Sequence, residues 1–248
     1  MVRSDQPPLS RSRTAYANTA ALELFQLPEP QAIAIDGPVA SGKTVVGRLV
    51  ARHKGYRFLD TGAMYRAVTW AALQRGIGLG QVAPLVQLTE SLSVLLVPAQ
   101  GGDRLLVNEQ DITDHLREPE VESGVSLVAK VPGVRTALVM QQRAIARSGP
   151  MVMAGRDIGT VVLPAAAVKV YLTAAVEIRA RRRYQELQGH GEPEDYAQVL
   201  NETIRRDKID SQRADSPLRP ADDAVVIDTG DLGVEELAQM VISLAGHD

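Results

Sequence analysis

Gly37-Pro38-Val39-Ala40-Ser41-Gly42-Lys43-Thr44 fits the pattern G-x-x-x-x-G-K-[ST] at every fixed position. Its flanks turn the match into a geometric expectation. Ala32-Ile33-Ala34-Ile35 is a short apolar run suited to a buried parallel strand, and Val45 to His53 carries apolar side chains at helical spacing. The order is therefore strand, glycine loop, helix N-terminus. In such a loop successive backbone N–H groups turn inward and the helix end adds partial positive charge, so a polyphosphate can nest there. Lys43 would reach the outer phosphates and the Thr44 hydroxyl would hold a magnesium ion.

Working outward, the 248-residue chain is 45% apolar, enough for one sizeable core with excursions, and a single α/β body is expected. Basic and acidic residues nearly cancel, 27 against 30, so no whole-molecule field draws the chain to nucleic acid or an anionic membrane. The absence of cysteine excludes disulfides and thiolate chemistry and fits a reducing compartment, so a cytoplasmic location is expected. His53, His115, His190 and His247 lack metal-ligand spacing. The most apolar stretch, Val161 to Val176, contains Pro164 and Lys169 and falls short of the ~20 residues of a membrane span. Residues Met1 to Pro30 differ in character, with Arg3, Arg11, Arg13 and several serines and prolines. They read as a poorly ordered extension or one added helix over Ala15 to Phe25, with a transit peptide as the competing reading.

After the first helix, Tyr56 to Leu59 is a second strand, and Asp60-Thr61-Gly62 opens a helix that Gly76 and Gly78 stop. Leu79 to Pro132 breaks the alternation with short strands at Ser93 to Val97 and Leu105 to Asn108, then a helix from Pro119 to Ala129. Val134 to Arg147 is helical, and Pro150 to Ala154 is the third core strand, delivering Gly155-Arg156-Asp157-Ile158-Gly159 at its carboxyl end. Ala167 to Leu172 is the fourth strand; Thr173 is expected to cap the next helix, whose Arg181 to Arg183 are expected to be solvated. A glycine-rich break at Gln188 to Pro193, a charged helix from Glu194 to Gln212, a fifth strand at Ala224 to Ile227 and a closing helix from Val234 to Leu244 complete the chain. The sum is a five-stranded parallel sheet wrapped by helices, interrupted by two excursions.

A phosphate loop alone says that a nucleoside triphosphate binds. Asp207-Lys208-Ile209-Asp210 only approximates the Asn-Lys-x-Asp element of a guanine-nucleotide switch, and the chain is small for a motor. What distinguishes it is arginines at helix starts and strand ends: Arg66, Arg156, Arg206 and Arg213. Phosphoryl transfer asks for two anionic reactants aligned and their charge neutralised, which suits a small-molecule kinase.

Leu59-Asp60-Thr61-Gly62-Ala63-Met64-Tyr65-Arg66, Ser126 with Pro132 and Val134-Arg135, Gly155 through Val162, and Arg206 through Arg213, taken with Gly37-Pro38, resemble the bacterial-type cytidylate kinases over about Gln31 to Leu244. The resemblance implies a three-layer phosphate-loop fold and transfer of a phosphoryl group from ATP to CMP or dCMP with Mg2+. It divides the chain into an N-terminal extension (1–30), core (31–78, 133–187 and 221–248), a monophosphate-binding insertion (79–132) and a lid (188–220). It implies that ATP lies on Gly37, Pro38, Val39, Ala40, Ser41, Gly42, Lys43 and Thr44, with Thr44 on the metal. The acceptor phosphate would be held by Thr61, Arg66, Arg156 and Arg213, beside Tyr65. Ser126 and Arg135 would face the base, Asp210 the ribose, and Asp157 either the base or the metal. Lys43, Arg156, Arg206, Arg213 and Asp157 are the implied catalytic set, and the chain is expected to act as a monomer. Many relatives carry an extra small residue between the loop lysine and threonine, which Lys43-Thr44 lacks, and the resemblance does not account for residues 1–30. A pocket of this kind accepts from the cytosine amino group and donates to its ring acceptors, so uracil would leave a group unpaired. The alternatives are a kinase for another acceptor, such as UMP or AMP, and a nucleotide-dependent RNA-binding switch using Arg179 to Arg183. The balanced charge and lack of an aromatic platform argue against the switch.

Overall fold

The computed structural model describes residues 31–97, 104–189 and 195–246. The expectations for residues 1–30, for the Gly101-Gly102 turn and for Gly191 to Pro193 lie outside the described residues. A five-stranded parallel sheet carries the fold: β1 (Ala32–Asp36), β2 (Arg57–Asp60), β6 (Met151–Gly155), β7 (Val168–Thr173) and β8 (Val225–Asp228), in the order β2-β6-β1-β7-β8. β1 is central and all its residues are buried, as a strand covered on both faces requires. Its alternation assigns the layers. Ile33 and Ile35, with Val152 and Ala154 of the adjacent β6, face α1 (Lys43–Lys54) and α8 (Val234–Leu244). Ala32 and Ala34, with Met151 and Met153, face α2 (Thr61–Gln74) and the second core.

That second core runs without a break into the excursion after α2. It takes in Leu85 and Leu88 of α3 (Val82–Ser91), Val121 and Val128 of α4 (Pro119–Val128), and Val134 and Leu138 of α5 (Pro132–Ala146). A small antiparallel sheet, β3 (Val94–Val97), β4 (Arg104–Val107) and β5 (Gln110–Asp111), edges it, followed by a 3-10 turn over Thr113–Arg117. The sequence reading missed α3 and β5. α3 carries Pro84 in its first turn, where proline is tolerated because no intrahelical donor is lost. Leu85, Leu88 and Thr89 give it a buried face.

On the other side of β1, α6 (Val176–Gly189) packs against α7 (Tyr196–Ser211). Thr173 is the last residue of β7 and not a cap, because α6 begins three residues later. Gln188 and Gly189, read from sequence as a break, complete α6. β2 and β6 lie on one side of β1 and β7 and β8 on the other, so the loop after β1 sits at the switch point where open parallel sheets bind ligands.

Candidate functional site

The loop after β1 is shaped by backbone constraints. A Cβ at Gly37 would come within 2.1 Å of the Leu172 carbonyl oxygen, so only glycine fits beside β7. Gly42, in the left-handed region at φ 89°, opens α1 with no side-chain cap. The α1 N-terminal N–H groups therefore remain available to an anion. α2 shows the contrast: Asp60 caps it by accepting from the Gly62 N–H at 2.9 Å.

A cleft of 740 Å³ opens at the carboxyl ends of the strands. Val39 through Thr44, Thr61, Tyr65, Arg66, Ser126, Arg135, Arg156, Asp157, Arg206, Asp210 and Arg213 all line it, so residues expected from sequence to act together share one cavity. Gly37 and Pro38 stand behind them and are not part of the lining. Lys43 is only 8% exposed, and its Nζ donates to the Pro38 carbonyl at 2.6 Å. Burial, followed by the nearby Arg156, pushes its ammonium well below the ordinary lysine range.

Most of the charged groups in the cleft are paired. Arg66 Nη2 donates to Asp60 Oδ2 at 3.2 Å, and the same oxygen accepts from the Thr44 hydroxyl at 3.4 Å. Burial would push the Asp60 carboxyl up, yet Arg66 and Lys43 hold it below the usual range. Asp60 thus joins the loop to the first turn of α2, a position the sequence reading gave only a capping role. Arg156 Nε donates to Asp210 Oδ2 at 2.8 Å, with Arg213 Nη1 3.8 Å from the other oxygen. Burial again opposes ionisation of Asp210, and Arg156 and Arg213 overcome it. Arg135 and Asp157 form a buried ion pair, and the Arg135 guanidinium lies 5.5 Å from the Tyr65 ring centroid. The Thr61 hydroxyl donates to the Ala154 carbonyl at 3.0 Å, which leaves its lone pairs toward other partners.

Four buried polar atoms on the cleft residues have no hydrogen-bond partner among the described residues: Ser41 Oγ, Arg66 Nε, Arg135 Nε and Arg213 Nε. Unmet donors at both ends of one cavity are what anionic ligands would satisfy. Thr44 and Asp60 are hard oxygen donors at the loop end, suited to a magnesium ion that keeps waters and takes its other ligands from phosphates. Among the described residues no group of three or more His, Cys, Asp or Glu is arranged to hold a metal.

Two further features escaped the sequence reading. Arg181 is exposed as expected, but Arg182 and Arg183 line the cleft. Arg179, Arg182, Arg183 and Glu186 fall at i, i+3, i+4 and i+7 on α6, so one face of this helix is charged where an apolar stripe is usual. Arg179 is buried, with Nη2 donating to Asp207 Oδ2 at 2.6 Å and Nη1 to the Val39 carbonyl at 3.3 Å, which ties α6 and α7 to the phosphate loop. Asp36, also buried, accepts from the Ile158 and Gly159 N–H groups at 2.7 Å each and fixes the turn that carries Arg156 and Asp157 to the strand that carries the loop.

The family model described as cytidylate kinase matches residues 33–247. Among its relatives, the cytidylate kinase of Geobacillus thermodenitrificans is 48% identical over 87% of this chain and 96% of its own length. That of Geobacillus sp. (strain WCH70) is 45% identical over 87% and 96%, and that of Bacillus subtilis (strain 168) is 45% identical over 85% and 94%.

Proposed function

The chain belongs to the cytidylate kinase family, and on that premise we propose how its residues divide the work. The enzyme transfers the γ-phosphoryl group of ATP to CMP or dCMP, releasing ADP and CDP or dCDP. The observation that carries this reading is a single cleft with the phosphate loop at one end and the Arg135–Asp157 pair, with Ser126, at the other.

ATP phosphates lie in the nest from Gly37 to Thr44, and Lys43 turns from the Pro38 carbonyl to the transferring group. The shift costs little, because a buried ammonium gains from an anionic partner. Arg66, Arg156 and Arg213 bind the acceptor phosphate, and Thr61 helps to position it. The unmet Nε groups of Arg66 and Arg213 support that assignment. Ser126, Arg135 and Asp157 read the cytosine edge, with Tyr65 beneath Arg135. The pairing of Asp157 with Arg135 favours the base over the metal as its partner. Asp210, held beside Arg156, is within the same cleft to meet the ribose. Thr44, with Asp60, would hold Mg2+, which would supply positive charge to neutralise the donor phosphates.

In this reading residues 79–132 are the acceptor-binding part and residues 188–220 the lid. Arg206 on α7 comes over the transferring group as the lid closes and excludes water. The protein works as a monomer in the cytoplasm; among the described residues no helix is long and apolar enough to cross a membrane.

A coupled assay of ADP release with ATP and a panel of CMP, dCMP, UMP and AMP tests the assignment. CMP and dCMP are expected to exceed UMP and AMP by orders of magnitude in kcat/KM, because a hydrogen-bonding pocket rejects a mismatched edge by about 10⁴-fold. Preference for UMP would overturn the role given to Ser126, Arg135 and Asp157.

A further inference from the structure

Glu122 stands where the cleft's arginines converge. It lies on α4, its side chain is 13% exposed, and it lines the cavity. Guanidiniums from four separate elements surround its carboxylate. Arg66 of α2 is 3.8 Å from Oε1, and Arg117 of the 3-10 turn is 3.3 Å from the same oxygen. Arg183 of α6 is 3.5 Å and Arg206 of α7 is 3.7 Å from Oε2. Glu186 of α6 extends the cluster, 2.9 Å from Arg183 and 3.7 Å from Arg117. The ion pairs therefore span the cleft, joining the elements on one side of it to α6 and α7 on the other.

The geometry is that of a stand-in. Charge-assisted hydrogen bonds between guanidinium and carboxylate run at about 2.7–2.9 Å. None of the four contacts is that short, so the carboxylate spreads about four acceptor sites over four cations without a close bond to any. Arg66 Nε, 3.8 Å away, has no hydrogen bond. Burial would push the Glu122 carboxyl up, but Arg66, Arg117, Arg206 and Arg183 together keep it below the ordinary glutamate range. It is thus a stable anion held loosely by groups that a phosphate would bind more tightly.

We propose that Glu122 is a positioning residue that occupies the place of nucleotide phosphate in the empty cleft, gathers Arg66, Arg117, Arg183 and Arg206, and gives up Arg66 and Arg206 when the nucleotides bind. This rests on the two-nucleotide reading above and adds a competitor to it. The consequence is directional. In the empty enzyme Glu122 stabilises the arginines; in the loaded enzyme it repels the phosphates. Both effects weaken binding, so removal of the charge tightens it. Loss of an ordinary structural residue would do the opposite.

Glu122→Gln is expected to lower the KM for CMP and for ATP by about 3–10-fold, the scale of one like-charge contact near 4 Å under water-like screening, while kcat changes less. Glu122→Asp, which keeps the charge, stays within about twofold of wild type on the same reasoning. Glu122→Ser leaves room for water among the guanidiniums, shows the same fall, and covers the case in which the amide variant does not fold. Inorganic pyrophosphate, titrated calorimetrically into the full-length protein without nucleotide, binds the Gln and Ser variants more tightly than wild type. Unchanged or raised KM values in the Gln and Ser variants, or weaker pyrophosphate binding, would overturn the proposal. Failure of the wild type to phosphorylate CMP would instead overturn the reading of the site, and the pyrophosphate titration would still judge Glu122.

Discussion

At one end of the cleft, backbone N–H groups and a buried ammonium are supplied by eight consecutive residues, Gly37 to Thr44, with an uncapped helix N-terminus behind them. At the other, the guanidiniums of Arg66, Arg135, Arg156, Arg206 and Arg213 arrive from separate elements, and each lies against a carboxylate. The loop backbone is set before ligand arrives, by Gly37 against β7 and by the positive φ angles of Ala40 and Gly42, and only the Lys43 side chain has to leave the Pro38 carbonyl. The arginine end is a set of ion pairs that must be partly exchanged. Preorganised dipoles cost nothing to rearrange during the reaction, whereas side-chain clusters can close over a substrate and release it. In the proposed reading the first device would hold the donor and the second would admit the acceptor.

Replacing Lys43 by methionine challenges the loop end most directly. Turnover should fall by about 10³-fold, the scale seen when one preorganised charge partner of a transition state is lost. Thermal stability should hold, since a desolvated ammonium is being removed from a buried site. A variant with near-normal kcat would show that the donor phosphates lie elsewhere.

Arg135→Ala probes the other end. It leaves Asp157 as a buried carboxylate without its partner and should cost about 3–5 kcal/mol in urea unfolding. The double variant with Asp157→Asn should recover most of that loss. If the single variant were as stable as wild type, the pair would not be the fixed floor of the acceptor site.

Asp36 sharpens the comparison because it joins the two ends. Burial raises its carboxyl to about 6, even though the Gly159 and Ile158 N–H groups pull the other way. The native state therefore holds a proton that the unfolded chain gives up near 3.8. The stabilisation from this group is fully present below pH 3.8 and is lost as pH rises through about 6, a change on the order of 2–3 kcal/mol. Asp36→Asn removes the titration and adds a pH-independent loss, because its amide N–H₂ must face one of the two backbone donors. Stability measured from pH 4 to 7 should fall in the wild type relative to the variant. Parallel profiles would show that the Asp36 carboxyl titrates alike in folded and unfolded chains.

The parts of this site that could be read from sequence are those carried by neighbouring residues. The loop pattern, the strand before it and the Asp-Thr-Gly helix start each announce themselves within a few positions, and all five parallel strands could be placed within one or two residues. The helix at Val82–Ser91 went unread because proline in its first turn and the nearby short strands masked a three-turn apolar face. A charged run is usually a wet surface, which hides Arg182 and Arg183 from a sequence reading; the signal that marks them is their spacing with Arg179 and Glu186. Asp60 and Glu122 gave none beyond that of a cap and a surface glutamate.

The parallel α/β body, the phosphate loop and four of the cleft arginines, Arg66, Arg156, Arg206 and Arg213, are legible in the sequence, because apolar periodicity and backbone turn chemistry are local properties. Which carboxylate each arginine meets is settled in three dimensions. Arg135 finds Asp157, Arg156 finds Asp210, and Arg66, Arg117, Arg183 and Arg206 share Glu122. Coulombic pairing depends on distance and burial in space, and neither is encoded by separation along the chain.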